Sequence, residues 1–343
     1  MNETLIAWLS AAKGKRIVVW GDLVADHTVY GDTSRISREA PVLILEKEWD
    51  SLTPGCAGNA IMNVASLGGT PVPVGIVGGD EMGKRLLGQL EDRDVDTSYI
   101  RTDPALETAI KMRVLAGGLH TVKQQVIRID SGSDYGAVSD AKMGQNLKAA
   151  LRGADAIIVS DYGLGTVRPR LFASIVRKRS ILSVIDSRHS LDQFAGATSA
   201  TPNEPELEEL ARVSIGDEEE VLEEAARETL RGLGLKALLV TRGKRGMALF
   251  EPRKRRLDIP VSRTQDIVDV TGAGDTVIAM YTLGLAAGAA FAEAARLANV
   301  AAGLAVMKLG AAAPGVGEVG AVLEGGRAVS RPGCGGERGG LGK

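Results

Sequence analysis

The sequence predicts an α/β protein: a mostly parallel sheet with helices on both faces, plus a small β-sheet projecting from it. Three observations predict this. From residue 151 onward, short apolar runs at 156–160, 182–185 and 238–241 alternate with helical patterns at about 167–179, 204–212, 217–233, 275–289 and 291–307. Those runs end in polar or glycine-bearing turns: Asp161-Tyr162-Gly163, Asp186-Ser187-Arg188 and Arg242-Gly243. Ligand loops of open α/β sheets sit beyond such strand ends. Nearer the N-terminus the rhythm breaks. Residues 42–46, 110–115 and 122–130 are alternating, β-branched and partly charged with no helices between them, which predicts a small antiparallel sheet within about 23–55 and 105–130.

In chain order, the first apolar run, 16–20 (R-I-V-V-W), reads as a central parallel strand closed by Gly21-Asp22. Asp22 and Asp26 follow it in G-D-L-V-A-D, where their carboxylates are placed to hold sugar hydroxyls, loop solvation being the competing reading. Residues 53–69 (T-P-G-C-A-G-N-A-I-M-N-V-A-S-L-G-G) combine small residues for close approach at Gly55, Ala57 and Gly58 with the amide of Asn59. An apolar-faced helix over 61–67 follows, with Asn63 as a packing amide or cap. Residues 72–77 are another buried strand. After it, Gly78-x-x-x-x-Gly83-Lys84 imitates a phosphate-binding loop, but Arg85 stands where a Ser or Thr would hold magnesium, so the match is a decoy.

Thr201-Pro-Asn203-Glu-Pro-Glu206 opens a helix with Asn203 and Glu206 neighbours on its first turn, either as a capping pair or as a polar pair facing nucleotide phosphate and magnesium. The runs 218–220 (E-E-E) and 253–256 (R-K-R-R) read as solvated faces. The most informative stretch is 266–280, D-I-V-D-V-T-G-A-G-D-T-V-I-A-M: a strand end, a glycine turn and a helix. Gly272 and Gly274 permit a tight turn, and the helix start presents unpaired N–H groups to an anion. Asp275 sits at that anion site, as an N-cap or as the base that takes a proton from a hydroxyl attacking a phosphate.

Composition narrows the function classes. With 343 residues, 44% hydrophobic and 24% charged, the chain is long enough for a substantial core in an ordinary globular protein. A net charge of −2 gives no pull toward nucleic acid or membrane. Two cysteines, Cys56 and Cys334, make no disulfide framework, which fits a reducing cytoplasm. The N-terminus lacks a secretory pattern. The apolar run 276–292 is a buried helix rather than a membrane span. The tail 325–343, rich in Gly, Arg and Pro, reads as disordered after one domain covering 1–324.

Taken together and in order, D-V-T-G-A-G-D-T, G-C-A-G-N-A with L-G-G, N-E-P-E and T-R-G-K-R-G resemble the ribokinase-like (PfkB) sugar kinases over about residues 15–324. Y-G-D-T-S-R-I-S-R-E-A-P-V, T-A-I-K-M-R-V-L, Q-Q-V-I-R-I-D, S-D-Y-G-L-G and K-L-G-A-A are similar to the D-glycero-β-D-manno-heptose 7-phosphate kinases among them. The resemblance implies a ribokinase-like fold with a β-sheet lid and ATP-dependent phosphorylation of O1 of the heptose 7-phosphate, toward ADP-heptose. The bifunctional members of that branch continue into a nucleotidyltransferase domain, and the expectation here is the stand-alone kinase form.

It further implies Asp275 as base, and Gly272, Ala273 and Gly274 as amides on the transferred phosphoryl group. Asn203 and Glu206 would serve ATP and magnesium, with Glu206 toward the metal. Thr241, Arg242, Gly243 and Asn299 would shape the nucleotide pocket. Asp22, Asp26, Gly55, Asn59 and Asp186 would hold the sugar, and Lys111, Arg113 and Arg128 the 7-phosphate unless they are rim salt bridges. ATP and Mg²⁺ are the implied cofactors, a monovalent cation is left open, and a homodimer through the lid is expected. The usual glycine pair of the sugar-binding turn is Gly55-Cys56 here, and D-S-R-H stands where Pro-Lys is expected after the strand at 182–185, leaving Arg188 to meet a phosphate.

Overall fold

The computed structural model describes residues 2–117, 123–262, 268–308, 310–311 and 313–325. The chain opens with α1 (Asn2–Ala11) and enters the main sheet at β1 (Arg16–Gly21). After one residue, Asp22, it leaves for the projecting sheet in β2 (Leu23–Ile36) and returns along β3 (Leu43–Cys56), which runs directly into α2 (Ala57–Ser66). The strand β4 (Thr70–Gly78), α3 (Glu81–Glu91) and β5 (Ile100–Asp103) finish one sheet edge before a second excursion, β6 (Ala109–Gly117) and β7 (Gln124–Ser131). The strand–helix rhythm then sets in with α4 (Asp140–Ala150), β8 (Ala156–Asp161), α5 (Pro169–Leu171), β9 (Leu182–Ser187), β10 (Ser199–Ala200), α6 (Glu204–Ala211) and α7 (Glu219–Gly232). Last come β11 (Ala237–Thr241), β12 (Met247–Phe250), β13 (Leu257–Ile259), α8 (Ala273–Ala286), α9 (Phe291–Ala305) and α10 (Val316–Leu323).

The main sheet has nine strands in the order β13-β12-β11-β10-β9-β8-β1-β4-β5. From β11 to β5 every pairing is parallel, and β12 and β13 add an antiparallel edge. Strand period 2 divides the core between two faces. Ile17 and Val19 of β1 pack with α2, α8 and α9, while Val18 and Trp20 pack with α4 and α7. Every residue of α8 from Asp275 to Leu285 is buried, so this helix has no solvent face over that stretch. That burial fixes the position of whatever its first turn carries.

The projecting sheet has four strands in the order β3-β2-β6-β7. It corrects the antiparallel expectation at its centre, where β2 and β6 run parallel. It also extends the expected strands. Asp26 lies within β2 rather than in a loop. Directly opposed residues share a face, and the register opposes Asp26 to Lys111, Lys111 to Asp130 and Arg113 to Arg128. All three expected basic residues therefore share one face with two carboxylates.

Other differences have local causes. The 167–179 helix is broken, with one α-turn at α5, a π-turn at Phe172–Val176 and a 3₁₀ turn at Arg177–Arg179. The helix expected at 61–67 begins at Ala57. In the decoy loop, Asp80 caps α3 by accepting from Gly83 N–H, and Gly78 N–H donates to Thr108 Oγ1, so amides that a phosphate would need are occupied. Glu219 is not merely solvated, since it accepts from Arg242. The strand end expected before α8 lies partly outside the described residues and Val268 is not in a strand; nearly all of the 325–343 tail lies outside them too.

Candidate active site

Gly272 takes φ 77°, a left-handed conformation open to glycine, and starts α8. A Cβ there would lie 2.4 Å from Asn59 Nδ2, so glycine is required both by the turn and by the neighbour it admits. The neighbour matters: Asn59 Nδ2 donates to Asp275 Oδ2 at 2.7 Å, and Tyr162 Oη donates to Asp275 Oδ1 at 3.3 Å. Asn59 is itself steadied by Asn63, whose Nδ2 donates to Asn59 O and Oδ1 and whose Oδ1 accepts from Thr276 Oγ1. Asp275 is 6% exposed, and burial pushes its carboxyl up to about 7, against the opposing effect of the Asn59 and Tyr162 hydrogen bonds. It is not an N-cap, since that position belongs to Gly272. A buried carboxylate with both oxygens oriented and titrating near neutrality is fit for proton abstraction.

On the lid side, Arg113 Nη1 donates to Asp26 Oδ1 at 2.8 Å, and Arg128 is bound in bidentate fashion to Asp130 on its own strand. Lys111 Nζ donates to Cys56 Sγ at 3.0 Å and stands 5.0 Å from the centroid of the Tyr162 ring. A Cβ at Gly55 would lie 2.3 Å from Asp26 Oδ2, which explains that glycine.

On the other side of Tyr162 and Gly274 lies a cavity of about 110 Å³, lined by Asp161, Tyr162, Asp186, Arg188, Thr201, Asn203, Glu206, Thr241 and Gly274. Asn203 and Glu206 form a capping box on α6: Glu206 N–H donates to Asn203 Oδ1 at 2.8 Å and Asn203 N–H to Glu206 Oε2 at 2.9 Å. The capping reading therefore holds, and the cap itself lines the cavity. Asp186 is pushed well above the carboxylate range by burial, then by the charges of Glu206, Asp275 and Asp161; Glu206 is raised chiefly by burial. Such mutually repelling carboxylates are relieved by a cation. Among the described residues no group of three or more His, Cys, Asp or Glu is placed to hold a metal ion.

Four of the expected site residues lie elsewhere. Asp22 does not face the cleft: fully buried, it accepts backbone N–H from Tyr162, Leu164 and Thr166 at 2.8–3.1 Å and clamps the loop after β8. Arg242 is turned away from the cavity into ion pairs with Glu204 at 2.7 Å and Glu219 at 2.6 Å, tying β11 to α6 and α7. Asn299 donates to Pro260 O at 2.8 Å and does not line the cavity, nor does Gly243. The Ala273 N–H points to Val270 O at 3.3 Å, while Gly274 lines the cavity. Tyr162 and Thr201 were not singled out from the sequence. Both follow strand ends, which is the signal that points to them.

The pfkB carbohydrate kinase family profile matches residues 15–316. The chain belongs to the pfkB family of carbohydrate kinases. It is 39% identical over 314 residues to the bifunctional protein HldE of Geotalea uraniireducens, covering 90% of this chain and 63% of that protein. This pfkB chain therefore spans under two thirds of the curated relatives it matches. Its fold superposes on Arabidopsis thaliana ribokinase complexed with ribose and ATP, at 22% identity and TM-score 0.73, covering 91% of this chain and 99% of the other. Escherichia coli phosphofructokinase-2 in complex with potassium gives TM-score 0.71 at 18% identity, over 91% and 99% of the two chains. The fold is ribokinase-like and the protein is an ATP-dependent carbohydrate kinase. No described helix of this pfkB kinase is long and apolar enough to cross a membrane.

Proposed function

We propose that this kinase transfers the γ-phosphoryl group of ATP to O1 of D-glycero-β-D-manno-heptose 7-phosphate, giving the 1,7-bisphosphate and ADP. The observation that carries the reading is Asp275, buried and held by Asn59 and Tyr162, with the polar cavity on one side and the basic lid face on the other. The sugar hydroxyl loses its proton to Asp275, its oxygen bonds to the γ-phosphorus, and the bond from that phosphorus to the bridging oxygen breaks. Gly274, at the start of α8, offers backbone to the transferred group. Glu206 would hold magnesium, which neutralises phosphate charge when bound, and Asp186, expected on the sugar, lines the same cavity and would join it there; Asn203 and Thr241 line the same wall.

The 7-phosphate reading is supported by Lys111, Arg113 and Arg128 on one face, together with the similarity to HldE proteins. A second reading, an unphosphorylated sugar, is favoured by the pairing of Arg113 with Asp26 and of Arg128 with Asp130. The test is ADP release with magnesium-ATP, with and without potassium, on heptose 7-phosphate, sedoheptulose 7-phosphate, fructose 6-phosphate, ribose and fructose. Turnover confined to heptose 7-phosphate, yielding an anomeric phosphate by ³¹P spectroscopy, supports the first reading. Preference for ribose or fructose replaces it with the second, and silence on all five overturns the proposal.

A further inference from the structure

Cys56 joins β3 to α2 at φ 54°, ψ −126°, a backbone region that glycine enters freely and other residues rarely do. Of the five described non-glycine residues with positive φ, it is the buried one, at 6% exposure. A glycine would take this conformation without strain, so the side chain is kept at a cost to stability. What the side chain does is visible in its contact. Sγ accepts from Lys111 Nζ at 3.0 Å, and that ammonium sits over the Tyr162 ring whose hydroxyl reaches Asp275. Asp26 and Arg113, also facing this spot, are paired with each other, which leaves the Lys111 ammonium facing a thiol, an acceptor too weak to compete with a phosphate or sugar oxygen.

We propose that Cys56 is a positioning residue for the sugar substrate: its strained backbone aims Sγ so that the Lys111 ammonium is parked over Tyr162, oriented for an incoming substrate oxygen yet easily surrendered to it. Burial pushes the thiol up to about 12, so sulfur meets the ammonium as neutral S–H and not as a thiolate that would neutralise it. This inference rests on the proposed reading of Lys111 as a substrate contact.

The test uses the full chain with Cys56→Gly, Cys56→Ser, Lys111→Met and the Cys56→Gly/Lys111→Met pair. Cys56→Gly is expected to raise Tm by roughly 2–4 °C as strain is released. It should also raise KM for the accepted sugar roughly 3- to 10-fold while KM for ATP stays put. Cys56→Ser, which keeps an acceptor, should hold the sugar KM closer to the parent value. If the effect runs through Lys111, Cys56→Gly adds nothing to KM in the Lys111→Met background, and its Tm gain there is larger because the sulfur contact is already gone. A fall in Tm for Cys56→Gly, an unchanged sugar KM, or multiplying KM effects would overturn the inference. The kinetics are read on whichever sugar of the panel turns over. Should none do so, the proposed function fails, and the Tm cycle, which needs no substrate, decides this inference alone: equal gains in both backgrounds overturn it.

Discussion

Asp275 occupies a place where ionising a carboxyl is costly, and that cost is what brings its titration to about 7. Two consequences follow from one shift. As a base it must be deprotonated, so kcat/KM is expected to fall on the acid side with a limb near pH 7. A limb near 4 would mean that another group is the base. For stability, the folded pKa is raised above the unfolded value of 3.8, so the folded state binds the extra proton. Asp275 therefore disfavours folding progressively as pH rises from about 4 to 7, by on the order of 4 kcal/mol once ionised. Asp275→Asn is expected to lower turnover about 10²–10⁴-fold and to raise Tm at pH 8 more than at pH 4. Turnover within tenfold of the parent removes Asp275 as base. At this scale the sequence was legible where backbone and chemistry coincide: Gly-Ala-Gly-Asp announces a turn, a helix start and an acid at once. Asp22 and Arg242 misled because a charged residue after a strand reads the same whether it faces a ligand or clamps a neighbouring loop. Tyr162 and Cys56 gain their roles from partners 113 and 55 positions away, which no local pattern encodes.

The start of α6 serves structure and site together. The Asn203–Glu206 box satisfies N–H groups that a helix start leaves open, and it also keeps the Glu206 carboxylate on the cavity wall. Asn203→Ala is expected to cost about 1 kcal/mol, a Tm drop of roughly 2–4 °C, and to weaken KM for ATP while KM for the sugar stays unchanged. A drop in Tm with an unmoved KM for ATP would leave the box a cap and nothing more. Parallel strands such as β1 and β8 were legible because both of their faces are buried and they read as continuous apolar runs. Strands in the projecting sheet carry charge on one face and apolar residues on the other. β2 in particular, with Asp26, His27, Asp32 and Arg35, resembles a loop until its partners are known. β10, with two residues, and β13, with three, are too short to leave a pattern.

At the scale of the molecule, seven of the ten exposed large apolar side chains among the described residues lie on the projecting sheet or its β2–β3 turn: Ile36, Val42, Leu43, Trp49, Val126, Ile127 and Ile129 are each 47–65% exposed. Trp49 stacks on Tyr30 at 3.7 Å between ring centroids. Ile127 and Ile129 alternate along β7 with Arg128, so they lie on the face opposite the basic one. A patch of this kind is suited to association, and the homodimer through the lid is a prediction that it carries. Light scattering should give a dimer for the parent chain and a monomer for Ile127→Glu combined with Ile129→Glu. A parent monomer rules out the lid dimer without touching Asp275.

One junction ties these scales together. Between the main sheet and β2 there is a single residue, Asp22, and between β3 and α2 there is none. Leu23 and Cys56 are paired across that gap, and α2 carries Asn59, which grips Asp275. The lid is thus not hung on slack tethers like a flap. It is a cantilever rooted beside Asp275: β2 starts buried at Leu23–Ala25, and β3 ends buried at Pro54–Cys56 directly on the helix whose Asn59 amide donates to Asp275.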